Sequence, residues 1–176
     1  MKPVILGLGN DLFADDGFGP VAARRLERRI GRAVDVIESA EAGLALLDPL
    51  VGRPLAVILD VMATGRHRPG TLYRMKSSDL RVLPGLSPHH SGLPEVLQMA
   101  RRLHLPIPRD VYIIAVEPED TSTMGRGLTA SVEAALDEAE AAVLDLVKQW
   151  QKTEKTHAGR SEPATPSQTE RSACTN

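Results

Sequence analysis

The sequence predicts an α/β fold: a doubly wound, three-layer αβα sandwich on a mostly parallel sheet of about five strands, one of them a short antiparallel edge strand. Two observations predict it. Short apolar or β-branched runs recur along the chain, at Val4-Ile5-Leu6, Val34-Asp35-Val36-Ile37, Leu55-Ala56-Val57-Ile58-Leu59 and Val111-Tyr112-Ile113-Ile114-Ala115-Val116. Runs of this kind suit strands covered on both faces. Stretches with helical spacing separate them, and such alternation implies right-handed crossovers with helices on both sides of the sheet.

The elements follow in order. After the first run, Gly19-Pro20 marks a helix entry, because proline has its φ pre-set for the first turn and its missing N–H would be unpaired there. Ala22, Leu26 and Ile30 continue that helix. Leu44, Leu47 and Val51 give a second apolar stripe, and Val96, Met99 and Leu103 a third, with Ser91 as its cap and Pro94 in its first turn. Thr71 to Met75, after the Pro69-Gly70 turn, reads as the extra edge strand. Leu128, Val132, Leu136, Ala139, Val143 and Val147 step by three or four residues and mark the buried face of a long last helix.

At 176 residues and 42% apolar content, the chain supports one domain with a sizeable core, expected at 1–150. From Gln151 to Asn176, Lys, Thr, Ser, Glu and Pro dominate, and a disordered tail is expected there. The formal charge of −2 gives no basic face for nucleic acid. The single cysteine, Cys174, excludes an internal disulfide framework or cysteine-based metal site. The apolar start, Val4 to Leu8, is too short to span a bilayer or serve as a secretory segment. A cytoplasmic protein without a membrane partner is expected.

In open parallel sheets ligands bind at the carboxyl ends of the strands, which directs attention to three places. The first is the opening loop Gly7-Leu8-Gly9-Asn10-Asp11, with Asp15 and Asp16 beyond it. The second is Asp60, at the end of the third run. The third is Ser87-Pro88-His89-His90-Ser91-Gly92, which leads into the helix carrying Glu95. The opening loop begins like a dinucleotide fingerprint, but Leu12 stands where the third glycine belongs, and the acids would repel a phosphate. A cation suits it better: two carboxylates and an imidazole from separate loops make an oxygen, oxygen, nitrogen set fit for a first-row divalent ion. Each residue also has a plainer reading. Asp15 and Asp16 can serve the helix dipole, Asp60 can cap a turn, and His89 and His90 can simply be solvated. His67, His104 and His157 have only the plain reading.

Five pieces occur in a fixed order: Gly7-Leu8-Gly9-Asn10 with Asp15-Asp16-Gly17-x-Gly19; the strand-end Asp60; Pro69-Gly70-Thr71-Leu72; Ser87-Pro88-His89 leading to Glu95-Val96-Leu97; and Ile114-Ala115-Val116-Glu117-Pro118-Glu119. Together they resemble the hydrogenase maturation proteases, the endopeptidases that process the large subunit of nickel-iron hydrogenases, from Met1 to about Trp150. The resemblance implies removal of a short C-terminal extension from the large-subunit precursor once nickel has been inserted. It implies that Asp16, Asp60 and His89 are both the catalytic and the metal-contacting residues, that the nickel is supplied by the precursor, and that the enzyme is small enough to act as a monomer. Asp16 stands where some relatives carry glutamate, a difference in reach of ~1.5 Å, and His90 adds a second imidazole. Two other readings remain. One is a non-catalytic metal-dependent binding module or metallochaperone for the same precursor. The other is a metal-free acid pair of Asp16 and Asp60, as in aspartyl proteases, which leaves His89 without a task. Neither a cysteine nucleophile nor a Gly-x-Ser-x-Gly elbow is available.

Overall fold

The computed structural model describes residues 1–82 and 93–158. Strand β1 (Val4–Leu8) leads through a 3-10 turn (Ala14–Gly17) into helix α1 (Phe18–Ile30). Then come β2 (Asp35–Ser39), the short α2 (Leu47–Leu50), β3 (Ala56–Val61), β4 (Leu72–Lys76), α3 (Leu93–Arg102), β5 (Val111–Val116) and α4 (Ala130–Ala158). The sheet order is β2-β1-β3-β5-β4. Every pairing is parallel except that of β4 on β5, so β4 is the antiparallel edge strand expected after Pro69-Gly70.

Side chains alternate across the central strands and so feed two cores. Ile5, Val57, Leu59, Val61, Ile114 and Val116 pack with Phe18, Ala22 and Leu26 of α1 and with Val132, Leu136, Ala139 and Val143 of α4. Val4, Leu6, Leu8, Ile58, Ile113 and Ala115 pack on the other side with Leu46, Leu50, Leu93 and Leu97. Three layers result, and β1, β3 and β5 are buried on both faces, as their continuous apolar runs require. At about 1.5–3 kcal/mol per large side chain removed from water, these two layers are the main favourable contribution to folding.

Two stripes run along faces other than the expected ones. Around α2, Leu44 is 60% exposed while Leu46 and Leu50 are buried, because Gly43–Leu46 forms a 3-10 turn and α2 lasts only four residues. On α3, Met99 and Leu103 face solvent and Leu93, Val96, Leu97 and Ala100 are buried. The same segment carries two overlapping apolar sets at helical spacing, and the wider one faces the sheet. This helix closes with His104 in the left-handed region, φ 55°. Leu105 N–H reaches Ala100 O at 3.0 Å, and His104 N–H reaches Arg101 O at 3.1 Å, the paired bonds of a Schellman ending.

The expected boundary at residue 150 falls inside α4, which continues to Ala158. Gln151 to Thr156 contain neither glycine nor proline, and their Lys, Glu and Gln are good helix formers, so a polar extension follows the packed stripe. Residues 159–176 lie outside the described residues, as do His90 and the expected cap Ser91. Among the described residues no helix is long and apolar enough to cross a membrane.

Candidate active site

The glycines of the opening loop let the first helix sit against the sheet. A Cβ on Gly19 would overlap the carbonyl oxygens of Leu8 and Leu59, and one on Gly7 would overlap Gly19 O and lie 2.8 Å from Ala23 Cβ. The start of α1 therefore rests directly on the backbone of β1 and β3. Gly9, at φ 127°, is in a conformation only glycine adopts freely, with the carbonyl of Asp16 against its open face. These glycines are filled by the protein's own backbone, which is why two carboxylates are tolerated where a nucleotide would need a phosphate cradle. Pro20 is the third residue of α1, within the first turn, where its missing N–H costs nothing.

The two adjacent acids have different surroundings. Asp15 is fully buried. Its Oδ2 accepts the N–H of Glu119 (2.8 Å), the N–H of Asp120 (3.0 Å) and the hydroxyl of Thr129 (3.0 Å), and its Oδ1 accepts the N–H of Thr129 (2.7 Å). Its own N–H donates to Asp120 O at 2.8 Å. Asp15 thus ties the first loop to the loop after β5. Ala14, just before it, is held at φ 28°, in the left-handed region that costs a non-glycine residue ~1–2 kcal/mol. Asp16 stays half-buried, with Oδ2 accepting the N–H of Asn10 at 2.8 Å.

Asp60, the penultimate residue of β3, is fully buried, its Oδ1 accepting the Val61 N–H at 2.7 Å. Strand alternation puts it on the face of Ala56 and Ile58, the side covered by α3. The Ala14–Gly17 turn packs on β3, and Gly19 sits on the carbonyl of Leu59, the residue before Asp60. Asp16 and Asp60 are thereby assembled at one end of the sheet, the carboxyl end of β1 and β3. His89 lies outside the described residues. Among the described residues no three His, Cys, Asp or Glu side chains group to hold a metal ion.

Another buried carboxylate was not assigned a role by the sequence. Glu117, 4% exposed, follows β5 directly. It accepts the Thr64 N–H (3.2 Å), the Thr64 hydroxyl (2.6 Å), the Gly65 N–H (2.8 Å) and the hydroxyl of Tyr73. Burial pushes its carboxyl upward, but the donors of Thr64, Tyr73 and Gly65 outweigh it and hold the group below its ordinary value of 4.5. Tyr73 is pushed above its ordinary value by burial and by the bond to Glu117. Glu117 could have been found by the signal that marked Asp60, an acid placed directly after an apolar run. In the same loop, Asp120 lies well below the carboxylate range because it accepts from the hydroxyl of Thr123 and the N–H groups of Ser122 and Thr123. Asp11 bonds Arg24, at 2.8 Å, and Arg24 reaches Glu38 at 2.7 Å. His67 sets its ring edge against Tyr73, 5.7 Å between centroids.

The family profile for hydrogenase maturation protease matches residues 20–146. Hydrogenase 2 maturation protease of Escherichia coli is 29% identical over 153 residues, covering 85% of this chain and 92% of that protein. The hydrogenase expression/formation protein HoxM of Cupriavidus necator is 30% identical over 152 residues, 84% of this chain and 74% of its own. The solved structure of the hydrogenase maturating endopeptidase HybD from E. coli superposes with a TM-score of 0.74 at 28% identity, covering 85% of this chain and 93% of that one.

Proposed function

The chain belongs to the hydrogenase maturation protease family, a hydrolase acting on peptide bonds, and from that premise we propose that it removes the C-terminal extension of a nickel-loaded nickel-iron hydrogenase large-subunit precursor in the cytoplasm. The nickel belongs to the substrate. In this reading Asp16 and Asp60 offer carboxylate oxygens and His89 an imidazole nitrogen to that ion, a donor set that suits a first-row divalent metal and leaves positions for the precursor's own ligands and for water. Polarising a carbonyl oxygen and acidifying a bound water are both open to an ion so held. The residues of this chain bring the ion and the bond to be cut into register.

The observation that carries the reading is the contrast within one turn. Asp15 has both oxygens engaged by backbone and hydroxyl donors and acts as a clamp. Asp16 stays half-buried at the strand-end surface, at the end of the sheet where Asp60 also lies. A turn that withdraws one acid and presents the next favours a cationic ligand over a phosphate. Helix α3, which follows His89 in the chain, packs on the sheet face that Asp60 shares, which supports including the imidazole.

The test is to incubate the precursor, with and without nickel, and weigh the product by mass spectrometry. Loss of the extension's mass from the nickel-loaded form alone is expected. An unchanged mass in a stable complex would instead make this chain a binding module or metallochaperone for the precursor.

A further inference from the structure

We propose that the segment joining β3 to β4, residues 62–71, is a docking wall for the precursor, with Arg66 and Arg68 receiving its carboxylate groups and Glu117 positioning the wall. The identity of the partner rests on the function proposed above; the wall itself rests on independent observations.

The segment has no regular structure, yet it is anchored along its length. The Glu117 side chain holds Thr64 and Gly65. The backbone of the same residue holds the far end, Glu117 N–H reaching Thr71 O at 2.9 Å and Gly70 N–H reaching Glu117 O at 2.8 Å. Gly70 is seated so closely on the first turn of α4 that a Cβ there would overlap Ser131 O. Between these anchors His67 packs its ring against Tyr73, itself bonded to Glu117.

What this scaffold displays is basic. Arg66 and Arg68 flank His67, are exposed, and form no ion pair with any described residue. Elsewhere Arg24 bridges Asp11 and Glu38, Arg74 meets Glu138 at 2.9 Å, and Arg126 approaches Asp120 at 3.7 Å, whereas Arg28, Arg32, Arg101, Arg102 and Arg109 pair with no described residue either; what sets Arg66 and Arg68 apart is the anchored segment that carries them. The surroundings at this end of the sheet are acidic, with Asp11, Asp16, Glu119 and Asp120 outside the strands and Asp60 near the end of β3. A solvated loop tip needs no buried carboxylate to order it. Two guanidinium groups on an ordered loop match carboxylates in paired, bidentate geometry. The adjoining acids disfavour a polyphosphate and favour a folded polypeptide of mixed charge, whose cationic centre faces Asp16 and Asp60 while its carboxylates reach the arginines.

The experiment uses the full chain and a nickel-loaded large-subunit precursor, measuring association kinetics and processing over a range of salt. Charges at the rim of an interface act mainly on the association rate and its salt dependence. Replacing both arginines, R66A/R68A, should slow association about tenfold at low salt, flatten its salt dependence, and place the loss of processing on KM rather than kcat. R66K/R68K should recover part of the loss. E117A should reproduce the association defect, and E117Q, whose amide oxygen still accepts the Gly65 N–H, should fall between. An R66A/R68A variant that associates like the parent overturns the wall, whether or not the parent cleaves. A parent that binds without cleaving, and binds less well after R66A/R68A, overturns the proposed hydrolysis and keeps the wall. A parent that neither binds nor cleaves overturns both.

Discussion

Asp15 and Thr129, 114 positions apart in the chain, are joined by two hydrogen bonds: the backbone N–H of Thr129 reaches Asp15 Oδ1 at 2.7 Å and its hydroxyl reaches Oδ2 at 3.0 Å. The same carboxylate takes the N–H groups of Glu119 and Asp120, so one buried side chain closes the first loop against the loop between β5 and α4. An amide cannot accept all four donors, because its nitrogen would face N–H groups that it can only repel. Asp15→Asn should therefore cost about 2–4 kcal/mol of stability, as for other buried charge-assisted networks that lose an acceptor. Asp16→Asn should cost under about 1 kcal/mol, since the residue is half-buried. Urea denaturation of the two variants checks the contrast, and equal losses would show that the adjacent acids do the same work.

The seat of α1 is a separate matter, decided by atoms that are absent. At Gly19 a methyl group would enter the space of two strand carbonyls, Leu8 O and Leu59 O, which belong to the backbone of β1 and β3 and cannot swing aside as a side chain could. Gly19→Ala should cost about 3 kcal/mol or more, beyond the usual range for overpacking, because the obstruction is backbone and not a flexible side chain. Thermal melts alongside Gly31→Ala provide the control. The space beside Gly31 is open, so that variant is strained only through its positive φ.

Much of this architecture was legible in the sequence. The central strands are buried on both faces, so their side chains form short continuous apolar runs, and their length and β-branched residues mark them as strands. The last helix is long enough for its Val132-to-Val147 stripe to have one solution. The shorter helices are different: Leu93, Val96, Leu97 and Ala100 compete with Val96, Met99 and Leu103 for the same turns, and the sheet decides between them. At the site, the place of Asp60 was legible, because an acid that closes an apolar run falls at the carboxyl end of the strand. The division of labour between Asp15 and Asp16 was not. It depends on donors from Glu119, Asp120 and Thr129, which local spacing cannot bring near. Glu117 carried the same local signal as Asp60, but its partners Thr64 and Tyr73 lie on β4 and the segment before it, which local spacing does not bring near.

Acid titration should expose the Glu117 network. Its carboxyl lies below 4.5 in the folded state, so the folded protein binds that proton more weakly than the unfolded chain does. The stabilisation is complete above pH ~4.5 and disappears as the pH falls through the folded value. Tyr73, shifted upward from 10.0, adds nothing to this limb and loses its contribution only in strong alkali. Glu117→Gln should flatten the fall in stability below pH ~4.5 without abolishing it, because Asp120 and Asp35 are depressed as well and keep their share. Urea midpoints between pH 3 and 7 provide the measurement. A slope identical in parent and variant would mean that Glu117 carries its proton equally in both states.

The metal-contact reading makes a graded prediction at the strand ends. Asp16 accepts the Asn10 N–H at Oδ2, and glutamate keeps both the charge and the pair of acceptor oxygens, so Asp16→Glu should keep measurable processing despite a reach longer by ~1.5 Å. Asp16→Asn keeps the size but halves the acceptor capacity and removes the charge. Asp60→Asn does the same at a fully buried position, where the Val61 N–H still finds its acceptor if the amide oxygen takes that side. Each asparagine variant, and His89→Ala, should lower processing of the nickel-loaded precursor by about 100-fold or more, the scale typical of losing a catalytic or metal-contacting group. Binding of the precursor should then weaken only when its nickel is present. Asparagine variants that lose cleavage yet bind loaded and empty precursor equally would favour the acid-pair mechanism, in which these carboxylates serve water and not the ion.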